Sequence, residues 1–550
     1  MLDEDVLEGR ELSCERAYPC IPAIRSPGRR CPPENVRKIL TIPSFPKVTN
    51  RFGYTGSRFQ GNKRAFNILD AKSYQDHIAI SGKLPFPMNE GEEIFPQDIQ
   101  EAISFMANKS SEEMLEFWQT TVGVLAERAY VLMPQLVQMR NELKEEELAT
   151  RARLHLPLLA ELLEQEGMGG EDWLAQFCEG FPMIGTVGEP GVYPANSHTP
   201  KPISREELFR TAKDRWKPGK KPDEAHRAKL WEEAMTQTEK GWLSGPHRYS
   251  KKGRLRVGQQ KMSVNPAYRF GVQQAEKLRA VDDLKRSRTN EATAVTTPIN
   301  LPSWDHIANM CIFFRKQGET RPLAMAKADH ADAYKQLPLK AEDEQAAVVT
   351  LQSPEDGKWY GFIPKTQLFG STAAVLHYNC LSRVIASLAC RILKLPCVGY
   401  YDDFAIIAPR LIINKALEAF TMLDDLLLIL LKKNKSESGR ILEFLGITIH
   451  FAVGFGETIA TLQFPEERIR KQVELVGQLA NKTYISLAEL QKAAGKLCFA
   501  QTMIMGRFGK AAMRPLYEMI AQGGGSPSPA FRAYITQNSS PGNKSSRRRE

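Results

Sequence analysis

Cysteine is scarce in this chain of 550 residues: there are nine, mostly far apart, with no Cys-x-x-Cys. Cys14, Cys20 and Cys31 have no nearby histidine, which leaves a zinc site there without its usual ligand set. The pattern suits a reducing, intracellular setting, nucleus or cytoplasm. Long apolar runs are missing too. The longest, Leu426 to Leu431, is far too short to span a bilayer and reads as the buried side of a helix starting near Ile413. The start, Met1-Leu2-Asp3-Glu4-Asp5, has no signal-peptide character, and no internal repeat or protease motif is visible.

What is present is a globular composition, 42% apolar, in a chain long enough for several domains and a large core. The net charge of +10 is unevenly spread. Residues 201–290 hold 23 Lys and Arg against 11 Asp and Glu, a net +12, so the rest is close to neutral. Trp216, Trp231, Trp242, Tyr249 and Tyr268 are interleaved with those cations. Basic and aromatic residues together suit a nucleic-acid backbone and unstacked bases. The plainer reading is a solvated helical face over Arg205 to Lys240.

Two acidic sites carry the chemistry. Tyr400-Tyr401-Asp402-Asp403 lies between the apolar runs Pro396 to Gly399 and Phe404 to Ile407, which predicts a β-hairpin with an acidic tip. Asp is a poor strand residue and adjacent carboxylates repel, so folding alone does not favour this tip. A divalent cation reverses that argument, and hard oxygen ligands suit Mg²⁺. A solvated hairpin remains the ordinary alternative. Upstream, Lys327-Ala328-Asp329-His330-Ala331-Asp332-Ala333-Tyr334 follows a short predicted strand from Leu323, with Asp329 at its end. Here the alternative is a helix cap at Asp332 and a solvated Asp329. Two-metal phosphoryl transfer needs carboxylates from separate segments converging on ions about 3.5–4 Å apart. Asp329, Asp402 and Asp403 have the composition for that.

The order Asp-x-x-Asp-Ala-Tyr, then Tyr-x-Asp-Asp about seventy residues later, resembles reverse transcriptases. Arg269-Phe270-Gly271-Val272 with Lys277 to Asp283, Ser287 and Asn290 is similar to the fingers motif of retroelement polymerases. Lys435-Ser436 with Phe444-Leu445-Gly446 resembles the segment that closes the palm. Ser486 to Leu497 resembles the thumb of LTR or tyrosine-recombinase retrotransposon enzymes, and Gly241 to Pro246 the start of the polymerase domain. The resemblance covers roughly residues 230–520.

It implies an α+β right-hand polymerase fold of fingers, palm and thumb behind a mainly helical N-terminal extension. On that scheme residues 1–90 are irregular and 91–200 are helical, with 166–202 a loop-rich connector. Residues 201–245 are a basic helical lead-in, 246–457 fingers and palm, 458–521 thumb-like helices, and 522–550 a flexible basic tail. The charged run Asn141 to Arg153 is expected to be an exposed helix.

The resemblance further implies an RNA-directed DNA polymerase that adds dNTPs to a primer 3′-OH on an RNA or DNA template. Asp329, Asp402 and Asp403 would hold two Mg²⁺, with Mn²⁺ as a substitute. Lys277 and Arg279 would neutralise the triphosphate, with Asp332 and Ala333 lying along it through backbone N–H groups. Tyr334 would be an aromatic gate that collides with a ribose 2′-OH and selects dNTPs. Tyr400 would contact the template–primer, and Lys435 is a candidate acid for the leaving pyrophosphate or, alternatively, a solvated lysine. Gln367 is a candidate nucleotide contact in the stretch Ile363 to Ala374, which lacks the Ser-Pro usual before the helix predicted from Ala374 to Leu393. Ser371 or Thr372 would cap that helix. Residues 521–550 are too few for an RNase H or integrase domain, so the chain reads as a polymerase module alone. The alternative is a nucleic-acid-binding remnant with little or no catalysis. No membrane contact is expected.

Overall fold

A computed structural model describes residues 96–187, 201–212, 224–250, 254–274, 277–297, 299, 301–453, 459–501, 513 and 516–526. The expectations for residues 1–90 and for the tail beyond 526 lie outside the described residues, as does the side chain of Lys277.

Among the described residues four helices come first: α1 (Gln97–Ala107), α2 (Ser111–Asn141), α3 (Leu156–Gln165) and α4 (Glu171–Glu179). The short strand β1 (Gly185–Val187) and helices α5 (Arg205–Ala212) and α6 (Glu224–Glu239) follow. Next come β2 (Leu243–Ser250), β3 (Arg254–Val257), β4 (Gln260–Ser263), β5 (Pro266–Gln274), β6 (Lys277–Asp282) and β7 (Thr293–Val295). Helix α7 (Trp304–Lys316) leads into β8 (Leu323–Asp329), β9 (Val348–Gln352) and β10 (Trp359–Pro364). Helix α8 (Thr372–Arg391), the hairpin β11 (Cys397–Tyr400) and β12 (Asp403–Pro409), and α9 (Ile413–Leu426) complete the central part. Strands β13 (Glu437–Gly439), β14 (Ile441–Phe444), β15 (Ile447–Phe451) and β16 (Ala460–Gln463) precede α10 (Glu466–Ala480), β17 (Ile485–Ser486), α11 (Leu487–Gln501) and β18 (Gly524–Gly525).

The molecule is a mixed α and β structure built on two larger sheets. One has seven strands in the order β4-β3-β2-β10-β9-β5-β6, and the other four in the order β11-β12-β8-β13. Strands β8 and β12 are buried along nearly their whole length, as their run of Ala, Ile, Leu, Met and Phe requires. Helix α8 starts at Thr372, two residues earlier than Ala374. Its cap is Ser371, whose hydroxyl accepts the Ala374 N–H at 3.3 Å. It runs close to the hairpin at Gly399, where a Cβ would meet Ser382 Oγ at 2.5 Å.

The N-terminal helices do not form a separate module, because they share one apolar core with the four-stranded sheet, from Ile99 through to Phe451. Helix α2 begins with a Ser110–Glu113 capping box, and buries Met114, Trp118, Val122 and Leu125 at helical spacing. The Trp118 Nε1–H donates to the Leu393 carbonyl at 2.7 Å, and the His155 N–H to the Leu427 carbonyl at 2.9 Å.

Four expectations are corrected. Past Asn141, which ends α2, the run to Arg153 is a series of turns, not a helix. The Arg140 guanidinium donates to the Ala152 and Leu148 carbonyls, and Ala152 is left-handed at φ 46°. Residues 166–202 contain α4 and β1, since Trp173 and Phe177 find core partners. All of the run Leu426 to Leu431 except Leu426, the last residue of α9, lies past the helix, where left-handed Leu428 turns the chain so that Leu431 bridges to His330. Gly524 and Gly525 are not a loose tail but pair with Ser486 and Ile485.

Candidate active site

The site lies at one end of the four-stranded sheet. Strands β12 and β8 pair antiparallel with Asp403 opposite Asp329, and Tyr400 pairs with Asp403 across the hairpin. The loop has two residues, Tyr401 and Asp402. Tyr401 takes a left-handed φ of 55°, which a tyrosine rarely adopts, so the turn holds strain of roughly 1 kcal/mol or more. The His330 N–H donates to the Asp402 carbonyl at 2.9 Å and ties the loop to the segment after β8. The structure therefore gathers Asp329, Asp402 and Asp403 at one sheet end.

The electrostatics are those of crowded carboxylates. Burial, then the charges of Asp402 and Asp329, push the Asp403 carboxyl up to about 6, against the pull of Lys432 and Lys435. Lys432 places its ammonium against Asp329 and 3.7 Å from Asp402. Lys435 Nζ lies 3.2 Å from Asp329 Oδ2. The Lys432 N–H also donates to the Asp329 carbonyl at 2.8 Å, which fixes this lysine beside the site. Among the described residues no group of three or more Asp, Glu, His or Cys side chains is close enough to hold one ion as it stands. Lysine ammonium supplies the positive charge that the two carboxylates share.

Asp332 is left-handed at φ 49° and opens a short 3₁₀ turn, Ala333–Gln336, without capping it through its side chain. Tyr334 in that turn sits 5.8 Å from the Tyr378 ring and 5.9 Å from the Phe369 ring. Arg279 is exposed on β6, facing Val272 of β5 across the hairpin. Tyr400 is half-buried beside Tyr401, with ring centroids 5.0 Å apart. Gln367, expected at the nucleotide, is fully buried. Its amide donates to the Phe181 and Pro182 carbonyls at 3.0 and 3.3 Å, so it braces the chain from inside.

Beneath the acids lies a network that sequence reasoning missed. His330, fully buried, places Nδ1 2.7 Å from the Tyr378 hydroxyl and Nε2 3.1 Å from Asp424 Oδ2. Asp424 is held above the usual carboxylate range by burial, with His330 opposing. The available signal was Asp424 at a core-facing position of α9, one turn from buried Phe420.

No protein-family model and no curated protein matches this chain. Among solved structures it is similar to three of the foamy viral protease-reverse transcriptase. The dRH form with double-stranded DNA is 16% identical at a TM-score of 0.36, covering 74% of this chain and 59% of that one. The complex with RNA/DNA hybrid is 15% identical at 0.37, covering 74% and 45%. The complex with double-stranded DNA is 15% identical at 0.38, covering 74% and 70%. The chain thus spans less than two thirds of the first two, and a likeness at these scores carries no functional argument by itself.

Proposed function

We propose that this chain is an RNA-directed DNA polymerase of retroelement type with a fingers, palm and thumb layout, working by nucleotidyl transfer at the acidic sheet end. The observation that supports this most is the pairing of Asp403 with Asp329 on adjacent buried strands, with Asp402 in the strained turn beyond them. The donor set fits Mg²⁺ or Mn²⁺: three hard carboxylates, one of them pushed up by burial and by its neighbours, and two already sharing a lysine ammonium. Asp329, Asp402 and Asp403 would hold two ions once Lys432 swings aside. When bound, the ions supply activation of the primer 3′-OH and neutralisation of charge on the transferred phosphate.

The chain's own residues do the rest. Arg279, with Lys277, neutralises the dNTP triphosphate, and Arg suits bidentate phosphate contact. The backbone of Asp332 and Ala333 runs along the phosphates. Tyr334, fixed by the edge of Tyr378, excludes a ribose 2′-OH. Tyr400 touches the primer end. Lys435 hands a proton to the departing pyrophosphate.

A second reading is nucleic-acid binding without useful catalysis. It is favoured by the lysine pairs at Asp329 and by the lack of a ready three-carboxylate cluster among the described residues. Primer extension on poly(rA)/oligo(dT) with dTTP and Mg²⁺ separates the two. Extension by wild type that Asp402→Asn loses supports the polymerase. Template binding with no extension by either protein supports the second reading.

A further inference from the structure

A pocket of about 710 Å³ opens where the turns after α2 meet the start of β2 and the segment 428–430 that follows α9. Its wall carries Arg140, Arg153, Lys240, Trp242, Asp332 and Asp425. The polar groups left over here are donors. Arg153 is only partly exposed and makes no hydrogen bond or close ion pair among the described residues; its electrostatic neighbour is Asp332. Trp242 is 6% exposed, and its Nε1–H has no hydrogen-bond partner among the described residues. Lys240 holds its ammonium 4.5 Å from the centre of the Trp242 ring rather than against a carboxylate. Arg140 spends N–H groups on the Ala152 and Leu148 carbonyls and keeps its charge beside the pocket.

Acceptors are few. Asp425 is paired with Lys433 at 3.2 Å, which leaves Asp332 as the carboxylate opposing the cations. Burial and mutual repulsion draw Arg140 below its ordinary value, and burial draws Arg153 down with Asp332 opposing. Three cations against one free carboxylate on the wall of an open pocket lack one thing, an acceptor-rich anion.

We propose that this pocket binds an oligophosphate anion, either free pyrophosphate or the phosphate tail of a nucleotide, through Arg153, Arg140 and Lys240. Arginine forks match phosphate oxygens in pairs, and three cations spread over this volume suit a chain of phosphates better than one small monoanion. The pocket adjoins the acidic site, since the Ala331 N–H donates to the carbonyl of its wall residue Leu430 at 2.7 Å. It shares Asp332 with the proposed nucleotide contacts but none of the three metal-site carboxylates, so it does not rest on the polymerase reading.

The test is calorimetric titration of the full chain with inorganic pyrophosphate, in metal-free buffer, and with dTTP in a parallel arm. Saturable binding is expected, weakened roughly tenfold or more in Arg153→Gln, the scale of a lost charge-assisted contact. Asp332→Asn should bind several-fold tighter, a gain that misfolding cannot produce. Asp402→Asn should bind as wild type does, so a chain inactive in primer extension can still pass. Binding of dTTP with the same Arg153 dependence assigns the nucleotide tail; binding of pyrophosphate alone assigns the free anion. No saturable binding, or Arg153→Gln and Asp332→Asn both matching wild type, overturns the proposal. So does binding of a short oligonucleotide that depends on Arg153 while pyrophosphate does not bind.

Discussion

Replacing His330 by alanine should be among the most damaging single changes in the four-stranded sheet, although His330 is not itself one of the acids. Its imidazole is the whole polar support of Asp424 among the described residues: Oδ2 lies 3.1 Å from Nε2, and Oδ1 has no partner. Both residues are fully buried. Removing the partner of a buried carboxylate costs about 3–5 kcal/mol, because the carboxylate is stranded. The Tyr378 hydroxyl, 2.7 Å from Nδ1, also loses its partner, adding roughly 1–3 kcal/mol. A loss of about 5 kcal/mol corresponds to a fall in Tm on the order of 10–20 °C for a cooperative unit of this size. The assay is thermal unfolding followed by circular dichroism, comparing His330→Ala, Asp424→Asn and the double variant. The double variant should regain at least about 2 kcal/mol over His330→Ala, since it leaves no buried charge.

The sign with pH follows. Without His330 only upward influences act on Asp424, so its folded value lies above the unfolded one and ionisation opposes folding. The deficit relative to wild type should therefore be larger at pH 8 than at pH 5. A His330→Ala protein within about 1 kcal/mol of wild type, or a double variant no more stable than the single, would refute the reasoning.

Arg269→Met should cost about 3–5 kcal/mol by stranding Asp282, because both side chains are 2% exposed and paired at 2.8 Å. Urea unfolding measures it, and Arg269→Met combined with Asp282→Leu should recover much of the loss. His306 and His377 are both pushed down to about 4 by burial. Their folded values lie below the unfolded 6.5, so their contribution is complete above pH 6.5 and is lost as pH falls toward 4, up to roughly 3 kcal/mol each. Acid titration of His377→Gln should show a shallower decline over that window. Tyr334→Ala should raise rNTP use relative to dNTP roughly tenfold or more in primer extension, about 1.4 kcal/mol of lost steric exclusion. Unchanged discrimination would remove Tyr334 from the gate.

The parts of the site that were legible in the sequence are local ones. A hairpin needs only two apolar runs and a short polar break, so Cys397 to Pro409 could be read directly. The strand ending at Asp329 was legible for the same reason, as was the helix cap down to Ser371 or Thr372, of which the structure uses Ser371. Sequence misled where a side chain found its partner far along the chain. Gln367 looked available to a nucleotide, yet its amide bonds carbonyls 185 and 186 residues away. The charged run Asn141 to Arg153 looked like an exposed helix, but Arg140 folds it back on itself. Leu426 to Leu431 looked like one helix face, but a left-handed Leu428 breaks it into the strip that carries Lys432 to Asp329.

By itself, then, the sequence determined which residue types were present for the chemistry and which short elements carried them, because periodicity and turn propensity act over a few neighbours. Tertiary structure alone decided the antiparallel register that sets Asp403 against Asp329, the lysines that pair with Asp329 and the His330–Asp424 support below. It also decided the merging of the N-terminal helices into the same core and the pocket that collects Arg140, Arg153 and Trp242. Those depend on burial and charge pairing between segments up to hundreds of residues apart, which no local pattern encodes.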